Sequence, residues 1–381
     1  MKKQMKLGLG VLLSSMMAVT HAQDVKVGMI TTLSGGGAHL GVDVRDGFML
    51  AIEQSGKTNI EVLVRDDAQR PDLANSLSSE LVDRENVDVM TGLIWSNLAM
   101  AVVPSLTRQG MFYLSPNAGP SDLAGRLCHE NYFNIAWQND ALHEAMGQYV
   151  RDQGFEKPFI LAPNYPAGTD ALTGFKRYYD GELANEIYTQ LGQEDYAAEI
   201  SQIRASGADS VFYFLPGGMG ISFMNQYANS GTDIPVFGPA FSFDEVIVGA
   251  LGEAAEGVMN TSQWAHDLDN ATNRAFVAAF REKHGRTPTL YASQGYDTAK
   301  LLISALEVAH PKQDADAFRE ALRAANFEST RGEFRFGSNH HPIQNVYVRQ
   351  IVADGAGGYT NQLVGTAMEN HQDVYVDNCQ L

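Results

Sequence analysis

The chain has 381 residues, of which 44% are hydrophobic and 19% charged, and its formal net charge is −18. This length allows two lobes with separate buried cores, and the composition is that of a globular protein. The acidic excess argues against nucleic acid and anionic lipid surfaces as partners, because both repel negative charge.

The N-terminus predicts a secretory signal. Lys2, Lys3 and Lys6 precede an apolar run, and Ala22 provides a small residue at the expected cleavage site. The apolar run is shorter than the roughly 20 residues that span a bilayer. We therefore expect residues 1–22 to be removed on export, with a retained anchor as the alternative.

Cys128 and Cys379 are the only two cysteines of the chain. In an oxidising compartment they can form one disulfide, which would tie the C-terminal tail to the loop "AGRLCHENY". We favour this bridge over two unpaired thiols.

Alternating strand-like and helix-like segments predict an α/β fold with parallel sheets. The strand-like segments "VKVGMI", "IEVLVRDD", "VDVMTG" and "MFYLSP" alternate with helical patterns, the first over residues 42–54. The alternation starts again at about residue 141, which predicts a second sheet of the same kind. Three amphipathic segments follow, and "NVYVRQIVADGAGGYTNQLVGTA" has the pattern of an antiparallel hairpin with a Gly-rich turn.

Each predicted lobe is discontinuous in sequence. The connecting segments "YFNIAWQND", "NTSQWAHD" and "FGSNHHPIQN" contain no flexible spacer, so we interpret them as three crossings of a hinge. The first lobe then comprises residues 23–139 and 266–342, and the second comprises residues 140–265 and 343–381.

Small polar residues follow several predicted strands, in "SGGGAHLG", "GLIWSNLA" and "SPNAGPSD". Ligands of doubly wound sheets bind beyond the carboxyl ends of the strands, where helix N-termini favour anions. A dinucleotide motif fails because Leu40 occupies the place of its third glycine, and no P-loop motif occurs. No motif indicates a cofactor, a metal site or a catalytic nucleophile, so we expect no enzyme; a secreted hydrolase is a remote alternative.

Nearly the whole mature chain resembles a type I periplasmic solute-binding protein of an ABC transporter, of the leucine/isoleucine/valine-binding-protein family. The segments "VGMITTLSGGGAHLGVDVRDGFMLAIE", "DDAQRPDLANSLSSELVDRENVDVMTGLIWSNLAMAVVPSLTRQGMFYLSP" and "GYDTAKLLISALE" carry the resemblance. It implies two doubly wound lobes joined by a three-segment hinge, a periplasmic location, delivery to an ABC permease with its ATPase subunits, and a monomer.

The resemblance also implies which residues bind a ligand carboxylate. They are Ser96 and the loop residues Asn117, Ala118 and Gly119, although Gly119 replaces a hydroxyl-bearing residue of the family. The acid that binds a ligand ammonium in these relatives is absent, because Ala240 and Phe241 follow Gly238-Pro239. An unpaired buried ammonium is costly, so an α-amino acid fits poorly.

Aromatic residues near the inferred cleft indicate a ring-bearing ligand. Trp95, Tyr165 and Phe241 are candidate contacts, with His39, Leu40 and Gln294 as further candidates. The segment "APNYPAGTDALTGFKRYY" resembles the branch of the family that binds benzoate-like or cinnamate-like carboxylates. Alternatives are a branched-chain amino acid, a short amide, another small polar solute, or a ligand-sensing role for a chemoreceptor or kinase.

Overall fold

The computed structural model describes residues 24–381, so the predicted signal segment lies outside the described residues. The first sheet is entirely parallel, in the order β2-β1-β3-β4-β5. Its strands are β1 (Val25–Thr31), β2 (Ile60–Asp66), β3 (Val89–Thr91), β4 (Phe112–Ser115) and β5 (Tyr132–Asn134). Nearly all residues of β1, β3, β4 and β5 are buried, as expected for a parallel sheet covered on both faces.

Four helices connect these strands: α1 (Ala38–Ser55), α2 (Pro71–Ser79), α3 (Ser96–Arg108) and α4 (Ser121–Ala124). Helix α1 begins four residues before the predicted helix over 42–54, because the glycine loop ends at Gly37. Helix α2 continues as one π-helical turn over Glu80–Arg84. The strand and helix order of the first lobe agrees with the prediction.

The second sheet is mixed, in the order β11-β12-β10-β9-β8-β6-β7, with β13 paired to β12. Its strands are β6 (Pro158–Pro163), β7 (Asn185–Thr189), β8 (Ser210–Tyr213), β9 (Val236–Pro239), β10 (Met259–Ser262), β11 (Arg335–Phe336), β12 (Pro342–Ala353) and β13 (Tyr359–His371). Strands β12 and β13 are antiparallel, as predicted. The helices of this lobe are α5 (Ala141–Asp152), α6 (Pro166–Tyr179), α7 (Ala197–Ala205), α8 (Gly218–Asn229) and α9 (Glu245–Leu251).

The three predicted amphipathic segments form α10 (Ala271–His284), α11 (Leu290–Leu306) and α12 (Ala315–Ala324), which pack on the first lobe. Helices α1 and α11 approach so closely that a Cβ at Gly47 would lie 1.9 Å from the carbonyl oxygen of Ala292. Phe318 of α12 packs edge-on against Phe112 of β4 at 4.9 Å. The predicted lobe boundaries stay a prediction. Strand β11 lies before residue 342, in the part of the chain assigned to the first lobe, but it pairs with β12 of the second sheet.

The predicted disulfide between Cys128 and Cys379 is present, with 5.7 Å between the Cα atoms. It links the segment after β13 to the loop that follows α4. Among residues 24–381, no helix has the length and apolar character needed to cross a membrane.

Candidate functional site

The candidate site is a cavity between the two lobes, at the carboxyl ends of the strands. Its lining residues are Leu40, Trp95, Ser96, Asn117, Ala118, Trp137, Asn139, His143, Tyr165, Ala167, Phe214, Pro216, Phe241 and Tyr291. The set contains no lysine, arginine, aspartate or glutamate.

Aromatic side chains from both lobes surround the cavity. Trp95 of the first lobe lies 6.2 Å from Tyr165, and Tyr165 stacks on Phe214 at 6.2 Å between ring centroids. Trp137, from the segment that joins the lobes, lies 4.3 Å from Phe241. These walls fit a flat apolar ring better than a flexible polar chain.

The polar end of the cavity lies at the N-terminus of α3. Ser96 is the first residue of this helix, and Trp95 is the N-cap residue but provides no side-chain cap. The first N–H groups of the helix therefore carry the partial positive charge of an uncapped N-terminus. A carboxylate is the ligand group that this end favours.

Asn139 orients the Ser96 hydroxyl as a hydrogen-bond donor. The Nδ2 of Asn139 donates to Oγ of Ser96 over 3.1 Å, and also to Oδ2 of Asp170 over 2.9 Å. Because Oγ of Ser96 accepts this bond, its own hydrogen is free to turn toward a ligand oxygen. Asp170 accepts two further hydrogen bonds from Ser121 and does not line the cavity.

Hydrogen bonds to neighbouring residues fix the loop after β4. Asn117 donates through Nδ2 to the carbonyl of Ile94 over 2.6 Å. The carbonyl of Ala118 accepts from the Ser115 and Tyr132 hydroxyls over 2.7 and 3.0 Å. These bonds hold Asn117 and Ala118 rigidly against the cavity.

His143, at the start of α5, lines the cavity from the second lobe and is 1% exposed. The rings of Phe214, Phe241 and Phe212 lie 5.0 to 5.8 Å from its imidazole. Burial among these rings lowers the pKa of His143 to about 3, so the imidazole is neutral.

Two direct contacts between the lobes close the cleft beside the cavity. The N–H of Gly218 donates to the carbonyl of Gly36 over 3.1 Å, so the glycine loop touches the loop before α8. His39 pairs with Asp244, the N-cap of α9, over 3.1 Å. Burial alone would lower the pKa of His39, but the charge and hydrogen bond of Asp244 outweigh it, and the pKa is raised.

Of the predicted contact residues, seven line the cavity: Leu40, Trp95, Ser96, Asn117, Ala118, Tyr165 and Phe241. The other four do not. The N–H of Gly119 donates to Oδ1 of Asn139, and a Cβ there would lie 2.1 Å from the Trp137 carbonyl oxygen, so close packing requires glycine at this position.

His39 does not line the cavity, and it pairs with Asp244 across the cleft. Ala240 is fully buried in the turn after β9, so only its neighbour Phe241 reaches the cavity. Gln294 is fully buried in α11, where its side-chain amide has no hydrogen-bond partner among the described residues.

The sequence interpretation missed several lining residues: Trp137, Asn139, His143, Ala167, Pro216 and Tyr291. Trp137 and Asn139 lie in "YFNIAWQND", which was interpreted only as a hinge crossing. Hinge segments always border the cleft between two lobes. The aromatic and amide residues of this segment could therefore have been predicted to line the cavity. His143 and Tyr291 lie in amphipathic helices, where periodicity does not separate core from cavity.

The two lobes and the enclosed cavity define a cleft-type ligand-binding protein. A family model described as periplasmic binding protein matches residues 24–356. The Leu/Ile/Val-binding protein homolog 6 of Brucella melitensis biotype 1 is 30% identical over 365 residues, which cover 92% of this chain and 93% of that relative. The chain therefore belongs to the periplasmic binding protein family.

Two solved structures are similar over nearly the whole chain. A solute-binding protein of an ABC transporter from R. palustris, in complex with benzoate, is 29% identical with a TM-score of 0.88, covering 94% of this chain and 100% of that chain. Another, from Rhodopseudomonas palustris BisB5 in complex with 3,4-dihydroxy benzoic acid, is 28% identical with a TM-score of 0.84, covering 92% and 99%.

These findings confirm the type I fold and the class of protein. The chain is a periplasmic binding protein of type I.

Proposed function

We propose that this protein is the periplasmic receptor of an ABC importer and binds a small aromatic carboxylate between its lobes. The observation that carries the proposal is the cavity lining, which combines aromatic walls with the uncapped N-terminus of α3 and contains no ionised side chain. Without an acid in the lining, the ammonium of an amino acid would be buried unpaired, at a cost of several kcal/mol. The similarity to proteins in complex with benzoate and a dihydroxybenzoate supports the same ligand class.

The carboxylate binds to the first lobe and the ring contacts both lobes. Ser96 donates its hydroxyl hydrogen, and the first N–H groups of α3 supply the remaining donors. Because Tyr165, Phe214 and Phe241 belong to the second lobe, the ring is fully enclosed only when the cleft is closed. The ligand therefore shifts the protein toward the closed form, which the permease then recognises.

Two features support a periplasmic location. Residues 1–22 have the pattern of a cleavable signal, and the Cys128–Cys379 disulfide requires an oxidising compartment.

Isothermal titration calorimetry on the mature protein tests the ligand class. We expect benzoate or a simple derivative to bind and leucine to give no heat. Ser96→Ala should weaken benzoate binding by about 1–3 kcal/mol, because the carboxylate loses a hydrogen-bond donor in a buried site.

The matched control is Ser105→Ala, on the same helix, where the hydroxyl only accepts from Gln109 at the surface. It should bind benzoate like the parent. Tight leucine binding with no response to aromatic acids, or equal affinities for Ser96→Ala and the parent, would contradict the proposal.

A further inference from the structure

Two side chains of the cavity wall have a buried polar atom without a protein partner, Oδ1 of Asn117 in the first lobe and Nδ1 of His143 in the second. Nδ1 of His143 is inaccessible to solvent and has no hydrogen-bond partner among residues 24–381. The neighbouring rings of Phe214 and Phe241 provide neither a donor nor an acceptor. A buried polar group without a partner is costly, and because His143 lines the cavity, a bound ligand is the group available to satisfy its imidazole.

The charge state of His143 determines which ligand group fits. Burial lowers its pKa to about 3, so the ring carries one N–H donor and one acceptor nitrogen near neutral pH. A neutral imidazole provides no charge for a carboxylate, which binds at Ser96 in the other lobe. A hydroxyl group suits it, because a hydroxyl can donate to the free nitrogen or accept from the N–H.

We propose that His143 is a specificity-determining residue that selects aromatic carboxylates with a hydroxyl on the part of the ring remote from the carboxylate. This inference rests on the proposed function and specifies a second polar group of the ligand, the ring hydroxyl, in addition to the carboxylate. A ligand that binds Ser96 through one end and His143 through the other contacts both lobes at once. The hydroxyl therefore strengthens closure as well as affinity.

Calorimetry with benzoate and with 2-, 3- and 4-hydroxybenzoate tests the inference. For the parent protein, we expect the 3- or 4-hydroxy compound to bind about tenfold more tightly than benzoate, as one added hydrogen bond in a buried site provides. In His143→Phe the affinities for benzoate and for the hydroxylated compound should become equal within about twofold, and this ratio is read within the variant, whatever its affinity for benzoate. His143→Leu repeats the comparison with a smaller side chain, and thermal unfolding shows whether each variant is folded.

The matched control is Tyr291→Phe, which removes a different hydroxyl from the same cavity and leaves the imidazole in place. It should keep the preference for the hydroxylated ligand. The inference is overturned if benzoate binds but the parent shows no preference for a ring hydroxyl. It is also overturned if the preference survives in a folded His143 variant or disappears in Tyr291→Phe. Failure of every aromatic acid to bind the parent would instead overturn the proposed function.

Discussion

The ion pair between His39 and Asp244 predicts that ligand affinity depends on pH. The pair exists only in the closed cleft, because His39 lies in the first lobe and Asp244 in the second. The pKa of His39 is raised in the closed form, so the protonated state of His39 favours closure. This contribution is complete below the ordinary histidine pKa of about 6.5 and is lost as pH rises through the raised value. Affinity should therefore fall between pH 6 and pH 8.5.

The size of the effect follows from the burial of the pair. Hydrogen bonds to charged groups contribute about 1.5–3 kcal/mol, and we take the lower end because the His39 side chain is 20% exposed. About 1.5 kcal/mol corresponds to roughly a tenfold change in Kd. In His39→Gln, benzoate should bind about tenfold more weakly than to the parent at pH 6, with little difference at pH 8.5.

Calorimetric pH profiles of the parent and His39→Gln check this prediction. Burial raises the pKa of the nearby Asp43 to about 6, so it titrates in the same range. Asp43 is present in both proteins, and only the difference between the two profiles reports on His39. His129→Gln, in the loop before β5, is a histidine control away from the closure contacts. Parallel profiles for the parent and His39→Gln would refute the reasoning.

Two further predictions concern stability. Gly47→Ala should lower the free energy of unfolding by about 3 kcal/mol, because its Cβ would overlap the backbone carbonyl of Ala292. The control Gly249→Ala in α9 has open space around its Cβ and should be neutral or slightly stabilising. Thermal unfolding of the two variants compares these effects. Replacing both Cys128 and Cys379 by serine should lower the free energy of unfolding by up to about 5 kcal/mol, since the bridge closes a loop of 251 residues. An unchanged urea midpoint for the double variant would contradict the second prediction.

Much of the fold was predictable because it follows from local patterns. Strand-helix alternation indicated the first sheet and the parallel part of the second, and the Gly-rich turn indicated the β12–β13 hairpin. Cysteine count and expected compartment were enough for the disulfide. Helix starts were less well predicted, as α1 shows, because the glycines before it give no capping signal.

The site was only partly predictable, because its geometry depends on contacts between distant segments. The resemblance led to Ser96, but it did not indicate that Asn139 accepts from the N–H of Gly119. The contact of His39 with Asp244 could not be predicted, because the two residues lie 205 positions apart in the sequence. His143 could not be distinguished from an ordinary core residue of α5, since the empty space beside it is a property of the assembled lobes.

The bridge at Cys379 also bears on how far the cleft can open. It provides a fourth covalent path between the halves of the molecule, in addition to the three hinge segments. Only seven residues lie between His371 at the end of β13 and this cysteine, so this stretch of eight Cα–Cα steps can reach at most about 28 Å. Tyr375 in this tail donates to Asp140 over 2.9 Å, which places the tail beside the first hinge segment. The short tail thus limits how far the end of β13 can move from the loop that carries Cys128.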